Sequence, residues 1–206
     1  MARSQQSGAG WWQRLAGGLH ARRERQAATE ALYRTVVGQA REPFLFAEFQ
    51  VPDTREGRLE MVLLHAVLVL RRLQLEGEAG RALAQALFDL MFADIDQHMR
   101  EWGVGDLSVG KQVKRVAESF YARAAAVEPA LAAADAEALV PILTRNVYGG
   151  GDAHLASARR LAGYLVEQAA WLQRLPVDPR LGRLAFRPSS PTAPGPGDNA
   201  LQKPPD

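Results

Sequence analysis

The sequence predicts an all-α protein: a single compact helical domain of about six helices, with a basic helical arm before it and a disordered Pro-rich tail after it. Apolar residues recur with the 3.6-residue period of helices along most of the chain, and no run keeps the alternation of a strand. Hydrophobic residues make up 47% and charged residues 23% of 206 residues. This composition is ordinary for a globular protein, and the length is sufficient to bury a core.

The periodicity places the elements in order along the chain. It predicts helices near residues 11–40, 57–75, 79–101, 108–127, 135–147 and 154–174. Prolines fall at or near helix ends, among them Pro129, whereas Pro141 is expected to start or kink the fifth helix. Between the first two helices the aromatic segment PFLFAEFQVPDT is expected to lie extended over the core.

Charge and proline content divide the chain into three predicted parts. We predict a basic amphipathic arm over residues 1–26, a helical domain over residues 27–176 and a flexible tail over residues 177–206. Residues 1–41 hold seven arginines and two glutamates, although the whole chain carries a formal net charge of only +2. The last twenty residues contain six prolines and almost nothing to bury, as is typical of disordered segments.

The arm has the pattern of a helix that rests on an anionic membrane surface. Trp11 and Trp12 precede Arg22, Arg23 and Arg25, and we predict that these five residues bind the membrane. The alternative is that both tryptophans pack on the domain. The arm also resembles an arginine-rich mitochondrial transit peptide. The longest apolar run, MVLLHAVLVL, has ten residues, whereas a helix needs about 20 to span a bilayer.

Candidate catalytic and metal-binding residues are few. The chain has no cysteine, which excludes disulfides, thiolate zinc sites and cysteine nucleophiles. Asp94, His98 and Glu101 share one face of the third predicted helix, where core residues are expected, so they need partners. They could be metal ligands, but the Glu-x-x-His motifs of dimetal bundles are missing. We favour a pairing in which Lys111 or Lys114 of the next helix approaches Asp94 or Glu101, and we predict neither a metal site nor an enzyme.

The segment GVGDLSVGK between these two helices has three interpretations. A short turn would join them as an antiparallel hairpin. A helix-turn-helix is the second, because the following helix is basic, but the turn is longer than usual. A phosphate loop is the third, and the spacing of its glycines and lysine does not fit.

Local signals in this segment refine the hairpin interpretation. Asp106 and Ser108 both suit the N-cap of the following helix. Gly103 and Gly105 allow backbone angles that other residues avoid, and Gly110 suggests close approach by another segment.

Two longer blocks resemble a known family. LFDLMFADIDQHMREWGVGDLSVGKQVKRVAESFYAR (Leu87 to Arg123) resembles the signature block of the ubiquinol–cytochrome c chaperone family, and VPDTREGRLEMVLLHAVLVLRRL (Val51 to Leu73) resembles its second block. The family comprises bacterial proteins and mitochondrial assembly factors of respiratory complex III. With weaker matches on either side of these blocks, the resemblance covers roughly residues 30 to 165.

The resemblance implies a fold and a function. It implies an all-α, non-enzymatic chaperone without a cofactor, which helps newly synthesised cytochrome b reach complex III. It also implies a small partner protein and the ribosome exit as further contacts, and no specific nucleic acid. A chain that begins almost directly with the domain suits a bacterial member, at the cytoplasmic side of the inner membrane; an organellar member would act on the mitochondrial matrix side. The alternatives remain a helix-turn-helix-like nucleic-acid-binding domain and a metal-dependent enzyme using Asp94 and His98.

The motif positions, with His98 added from the polar trio, give the expected partner-binding residues. They are Pro52, Asp53, Arg58, His65, Arg71, Asp94, Asp96, His98, Gly103, Gly105, Asp106, Gly110, Lys111, Lys114, Phe120 and Tyr121. His65 lies in an apolar helix, where a hydrogen-bonded core histidine is far commoner than a haem ligand.

Overall fold

The protein is all-α, as predicted, and a short helix accompanies the six long ones. The computed structural model describes residues 7–101, 103, 105–179 and 182–188, with side chains from residue 22 onward except 106 and 107. These residues contain no strand. The helices are α1 Ser7–Ala40, α2 Pro43–Ala47, α3 Arg55–Gln74, α4 Gly77–Glu101, α5 Asp106–Ala133, α6 Ala136–Asn146 and α7 Leu155–Arg174.

The predicted arm and the first helix of the domain form one continuous helix, α1. Residues 22–27 are exposed on every face, so this stretch of α1, including Arg22, Arg23 and Arg25, stands clear of the domain. Burial begins at Ala28 and continues through Leu32, Val36 and Ala40. This spacing of four puts the buried residues on one stripe. Trp11 and Trp12 belong to the part of α1 whose side chains are not described.

The segment predicted to be extended contains the five-residue helix α2. Pro43 occupies the first turn, where its missing N–H is not needed. Leu45 is fully buried and its carbonyl accepts from the Val51 amide at 3.1 Å. The aromatic residues therefore pack around a single helical turn, which is too short to leave a periodic pattern.

Helix α3 runs through the centre of the domain and contacts α1, α4, α5 and α7. Its N-cap Thr54 accepts from the Gly57 amide at 3.1 Å, and a Cβ at Gly57 would clash with the carbonyl of Pro52. The loop can therefore cross the start of α3 only because position 57 is glycine. The apolar run that follows is almost wholly buried.

Arg72 joins the end of α3 to the end of α7. Its Nε donates to the Leu172 carbonyl at 2.9 Å and one Nη to the Leu175 carbonyl at 2.8 Å, while the other Nη lies 2.5 Å from Glu76. The side chain is only 7% exposed. A buried guanidinium thus satisfies carbonyls that the helix end leaves without intrahelical partners.

Helix α5 runs past the proline that was expected to lie near its end. Pro129 sits inside α5, which continues to Ala133 and ends with Ala134 in the left-handed conformation at φ 53°. Pro129 is exposed, whereas Ala130 and Leu131 are buried. Core packing of the last turn outweighs the hydrogen bond that proline removes.

Part of the chain after α7 packs on the domain, although a flexible tail was predicted there. Segment 182–188, within the tail expected over residues 177–206, buries Phe186. The Gln168 side chain donates to the Arg187 carbonyl at 2.9 Å and accepts from its amide at 2.8 Å. This extended segment escaped prediction because it has too few apolar residues to show a period.

The limits of the arm and tail otherwise stay predictions, and residues 189–206 lie outside the described part of the chain. None of the described helices is both long and apolar enough to cross a membrane.

Candidate functional site

Two cavities lie at opposite ends of the α3–α4 pair. A short turn joins these helices, so they run antiparallel and the first half of α3 lies beside the second half of α4. We call the cavity completed by α5 the α5 groove, about 500 Å³, and the cavity completed by α1 the α1 pocket, about 170 Å³.

The α5 groove is an apolar channel with an exposed aromatic residue. Val67, Leu70, Ala84 and Phe88 line it together with Phe120 and Tyr121. Phe88 lies 5.3 Å from the Tyr121 ring and 5.7 Å from the Phe120 ring. Tyr121 is 59% exposed and, among the described residues, shares such exposure of a large hydrophobic side chain only with Leu75. Exposed aromatic residues beside an apolar groove are typical of protein-interaction surfaces.

Ion pairs bind α3 to α5 around this groove. At its rim the Arg71 Nε donates to both carboxylate oxygens of Glu128, at 2.9 and 3.1 Å. In the interior the Arg123 Nε lies 2.7 Å from Glu60, both side chains being at most 12% exposed. Burial raises the pKa of the Glu60 carboxyl to about 7, against the opposing charge of Arg123.

The α1 pocket combines an apolar floor with a polar wall. Leu59, Val62, Ile95 and Met99 are among the residues that form its floor. On the wall the Tyr33 hydroxyl donates to the Asp94 carboxylate at 2.5 Å. Burial and this carboxylate raise the pKa of Tyr33 well above its usual range, so the hydroxyl stays protonated and donates.

Asp94 and His98 therefore face α1 rather than the next helix. The His98 Nδ1 donates to the Asp94 carbonyl at 2.8 Å and lies 3.4 Å from its carboxylate. The predicted lysine partner for Asp94 is wrong, because its partner is Tyr33. The other predicted partner, Glu101, accepts from Gln97 of its own helix at 3.1 Å, and Lys114 pairs with Glu118 of its own helix at 3.7 Å. Periodicity identified the helix face but not the neighbour that covers it.

Arginines surround the mouth of the α1 pocket. Arg41 lies in the turn after α1, and Arg55 and Arg58 lie in the first turn of α3; all three are exposed. The Arg58 Nε lies 2.5 Å from Asp53, and its guanidinium lies over the Phe46 ring at 5.5 Å. The pocket mouth is therefore strongly basic.

His65 is a core residue, as predicted. Its Nδ1 donates to the Met61 carbonyl at 2.7 Å, so its Nε2 accepts from the Tyr164 hydroxyl at 2.8 Å. The Gln39 amide donates to the same hydroxyl at 3.0 Å. Complete burial lowers the pKa of His65 to about 4. The imidazole stays neutral and links α1, α3 and α7.

The turn between α4 and α5 confirms the hairpin and corrects its details. Gly103 has φ 81°, where glycine is favoured, but Gly105 has φ −59°. Gly105 is the N-cap, and the Ser108 hydroxyl donates to its carbonyl at 2.8 Å. The N-caps predicted at Asp106 and Ser108 are therefore wrong. Nothing within 4 Å would meet a Cβ at Gly110, so the close approach predicted there is wrong too.

The helix pair does not have the shape of a helix-turn-helix. Contacts between α4 and α5 reach from the turn as far as Phe88 and Tyr121. Such long antiparallel packing defines a hairpin, whereas a helix-turn-helix crosses its helices steeply. Among the described residues no group of three His, Asp or Glu side chains could hold a metal ion.

Comparison with known proteins identifies the family. A sequence model described as "Ubiquinol-cytochrome C chaperone" matches residues 47–181. The chain belongs to the ubiquinol–cytochrome c chaperone family. The crystal structure of the Cbp3 homolog from Brucella abortus has the same fold, with a TM-score of 0.77 and 35% sequence identity over 84% of this chain and 96% of that chain.

Relatives of this family member are assembly factors of complex III. The chain is 26% identical over 158 residues to ubiquinol-cytochrome c reductase complex assembly factor 1 of Drosophila melanogaster, covering 74% of this chain and 61% of the fly protein. It is 23% identical over 145 residues to the Xenopus laevis factor, covering 69% and 72%. The match to the mouse factor reaches 30% identity but spans only 26% of that protein. The chain thus spans less than two thirds of the fly and mouse proteins.

The residues expected to bind partners fall into separate places. Arg71, Phe120 and Tyr121 meet at the α5 groove, and Arg58, Asp94 and His98 meet at the α1 pocket. The remaining residues lie at the start of α3, in the core or at the exposed end of the hairpin. They are Pro52, Asp53, His65, Asp96, Gly103, Gly105, Asp106, Gly110, Lys111 and Lys114.

Sequence reasoning missed the residues that complete the two cavities. At the groove, Phe88 lies inside the Leu87 to Arg123 block but was not among its motif positions, and Glu128 lies just beyond the predicted end of its helix at residue 127. Tyr33, Arg41 and Arg55 at the pocket lie far from Asp94 in sequence. The i,i+4 and i,i+8 spacing of Tyr33, Val37 and Arg41 indicates a shared helix face, but not which helix lies opposite.

Proposed function

We propose that this protein is a non-enzymatic chaperone that assists the assembly of ubiquinol–cytochrome c reductase by holding newly synthesised cytochrome b. The observation that carries the proposal is the α5 groove. Half of the residues that line it belong to Val51 to Leu73 and Leu87 to Arg123, the two blocks that carry the family resemblance, and it exposes Tyr121.

The groove suits an apolar helix of a membrane protein that has not yet reached its partners. Its floor of Val67, Leu70 and Phe88 offers apolar contact, and the Tyr121 ring adds an aromatic surface at the edge. A helix that lays its apolar face into a groove is a common mode of recognition. The Arg71–Glu128 pair would keep the rim polar and limit how much of the client is covered.

The basic arm would hold the chaperone at the anionic membrane where cytochrome b is inserted. Arg22, Arg23 and Arg25 are exposed on a part of α1 that is free of the domain, and basic residues on a helix are attracted to anionic lipid. In a bacterium this surface is the cytoplasmic side of the inner membrane. The exposed Lys111 and Lys114 at the end of the hairpin remain available to a small partner protein or to the ribosome.

Complementation tests the proposal. A bacterial strain lacking its own family member would express this chain, and cytochrome b would be measured by reduced-minus-oxidised spectra of membranes. We expect the wild-type chain to restore the cytochrome b signal and Tyr121→Asp to lose most of it, because a charge would enter the apolar groove. Leu75→Asp is the matched control, because Leu75 is 65% exposed but does not line the groove.

Photo-crosslinking tests whether the groove contacts cytochrome b directly or affects its level indirectly. A photoreactive side chain at position 121 should form an adduct with cytochrome b that antibody to cytochrome b detects, and one at position 75 should not. Normal cytochrome b levels with Tyr121→Asp, at equal protein abundance, would refute the groove as the client site.

A further inference from the structure

We propose that the α1 pocket binds one anionic phospholipid molecule, with the phosphate at the arginine mouth and the first part of an acyl chain on the apolar floor. This site is distinct from the α5 groove and from the basic arm. It can bind a single lipid whether or not the groove and the arm act as proposed.

The floor of the pocket is suited to an acyl chain. Leu59, Val62, Ile95 and Met99 supply aliphatic and thioether groups, and the one carboxylate in the wall is engaged by the Tyr33 hydroxyl at 2.5 Å. A volume of about 170 Å³ is below that of sites that enclose a whole drug-sized ligand. The pocket would hold only the glycerol end and the adjoining methylene groups, and the rest of the lipid would stay in the bilayer.

The mouth of the pocket is suited to a phosphate. Arg41, Arg55 and Arg58 converge on it from the end of α1 and the start of α3, and Arg58 is paired with Asp53. Guanidinium groups bind phosphate oxygens with two parallel hydrogen bonds. Because Asp53 and Arg58 are both more than half exposed, an arriving phosphate can replace this ion pair at little cost.

The geometry of α1 favours a lipid in a membrane over an acidic peptide or a free phosphate. Arg23 and Arg41 are 18 residues apart, so they lie at nearly the same angle around the α1 axis and roughly 27 Å apart along it, from 100° and 1.5 Å per residue. The side of α1 that carries the exposed Arg23 therefore also leads to the exposed Arg41 at the pocket mouth. A flat anionic surface can contact both, and an apolar floor adds nothing to the binding of a free anion.

Binding of a soluble short-chain lipid to the full chain tests the site. Dihexanoyl-phosphatidylglycerol below its micelle concentration would be titrated by calorimetry. We expect the double variant Arg55→Gln/Arg58→Gln to bind about tenfold more weakly, and Arg81→Gln, an exposed arginine of the other cavity, to bind like the wild type. Val62→Asp should weaken binding as well, because it charges the floor. Circular dichroism would check that each variant is folded.

Three further ligands and one variant decide what is recognised. Equal binding of dihexanoyl-phosphatidylcholine would show that the pocket does not select an anionic headgroup. Equal binding of glycerol phosphate would show that the floor does not bind an acyl chain. Stronger binding of an acidic peptide than of the lipid would overturn the lipid assignment. The variant Arg22→Gln/Arg23→Gln/Arg25→Gln should keep short-chain lipid binding while losing anionic vesicles, so failure of the arm and failure of the pocket are distinguishable.

Discussion

The two cavities of the α3–α4 pair differ in where their charges lie. Around the α5 groove the charged groups that join α3 to α5 are mostly buried: Arg71 at the rim, and Glu60 with Arg123 in the interior. Around the α1 pocket the arginines are exposed, and Arg58 pairs with Asp53 in solvent. Buried charges must keep their partners, whereas exposed ones can exchange them. The first set therefore stabilises the fold and leaves an apolar groove, and the second set is available to a ligand.

The largest effect is expected at Arg72, the buried arginine that joins α3 to α7. Arg72→Met should lower the free energy of unfolding by about 3–5 kcal/mol, because it leaves the Leu175 carbonyl and Glu76 without their partner and removes one of the two donors to the Leu172 carbonyl. Chemical denaturation measures the change. Arg159→Met is the control and should cost under about 1 kcal/mol, because Arg159 and its partner Glu137 are both more than half exposed. Equal losses for the two variants would contradict the distinction between buried and exposed charges.

A second test uses two buried groups of α3 that titrate in opposite directions. Glu60 has a raised pKa of about 7 and His65 a lowered one of about 4. Between pH 4.5 and 7 the folded state holds the Glu60 proton that the unfolded state has lost, so this group makes stability fall as pH rises. Between pH 4 and 6.5 the unfolded state holds the His65 proton that the folded state lacks, so this group makes stability rise as pH rises.

The two dependences oppose each other between pH 4.5 and 6.5. The dependence due to His65 corresponds to about 3 kcal/mol over its window. Relative to wild type, Glu60→Gln should make the unfolding free energy rise more steeply with pH there, and His65→Gln should make it fall. Denaturation curves across this range measure both slopes, and the other carboxyl groups cancel in the comparison with wild type. Unchanged slopes would mean that the two groups are not buried as described.

A third, smaller effect is expected on peptide binding, with little change in the stability of the fold. Tyr121→Ala should weaken binding of an apolar cytochrome b peptide by about tenfold, since exposed aromatic residues at grooves often carry 1–2 kcal/mol. Its effect on unfolding should stay within about 0.5 kcal/mol because the ring is mostly in solvent. Fluorescence anisotropy of a labelled peptide measures the affinity. Leu75→Ala serves as control, and an equal loss there would show that the groove is not selective.

The smallest effect is expected at the exposed ion pair of the α1 pocket. Asp53→Asn should leave the denaturation midpoint unchanged and tighten short-chain phosphatidylglycerol binding about two- to threefold, because Arg58 no longer has a competing carboxylate. The control is Glu137→Gln on α6, which removes the similarly exposed partner of Arg159 on α7. It should change neither the denaturation midpoint nor lipid binding. Weaker lipid binding by Asp53→Asn would show that the pair positions Arg58 rather than competing for it.

Features that depend on one helix could be predicted from the sequence, whereas contacts between two helices could not. The six long helices and the core role of His65 follow from periodicity and from the apolar run around that residue. The partner of Asp94 did not follow, because a helix face does not specify the helix opposite. Helix α2 and the packed Phe186 were missed because each lies in a segment too short for a periodic pattern of apolar residues to repeat. The two cavities could not be predicted, because each needs three helices whose residues are far apart in sequence.

The backbone of Gly182, in the segment after α7, packs against the backbone of Ala28 on α1. A Cβ at Gly182 would clash with the Ala28 backbone, so the end of the domain touches α1 at the residue where burial begins. These residues are separated by most of the chain, and the contact can form only after nearly all of the protein has left the ribosome. The segment after α7 therefore packs on α1 only after the helices that form both cavities have been synthesised.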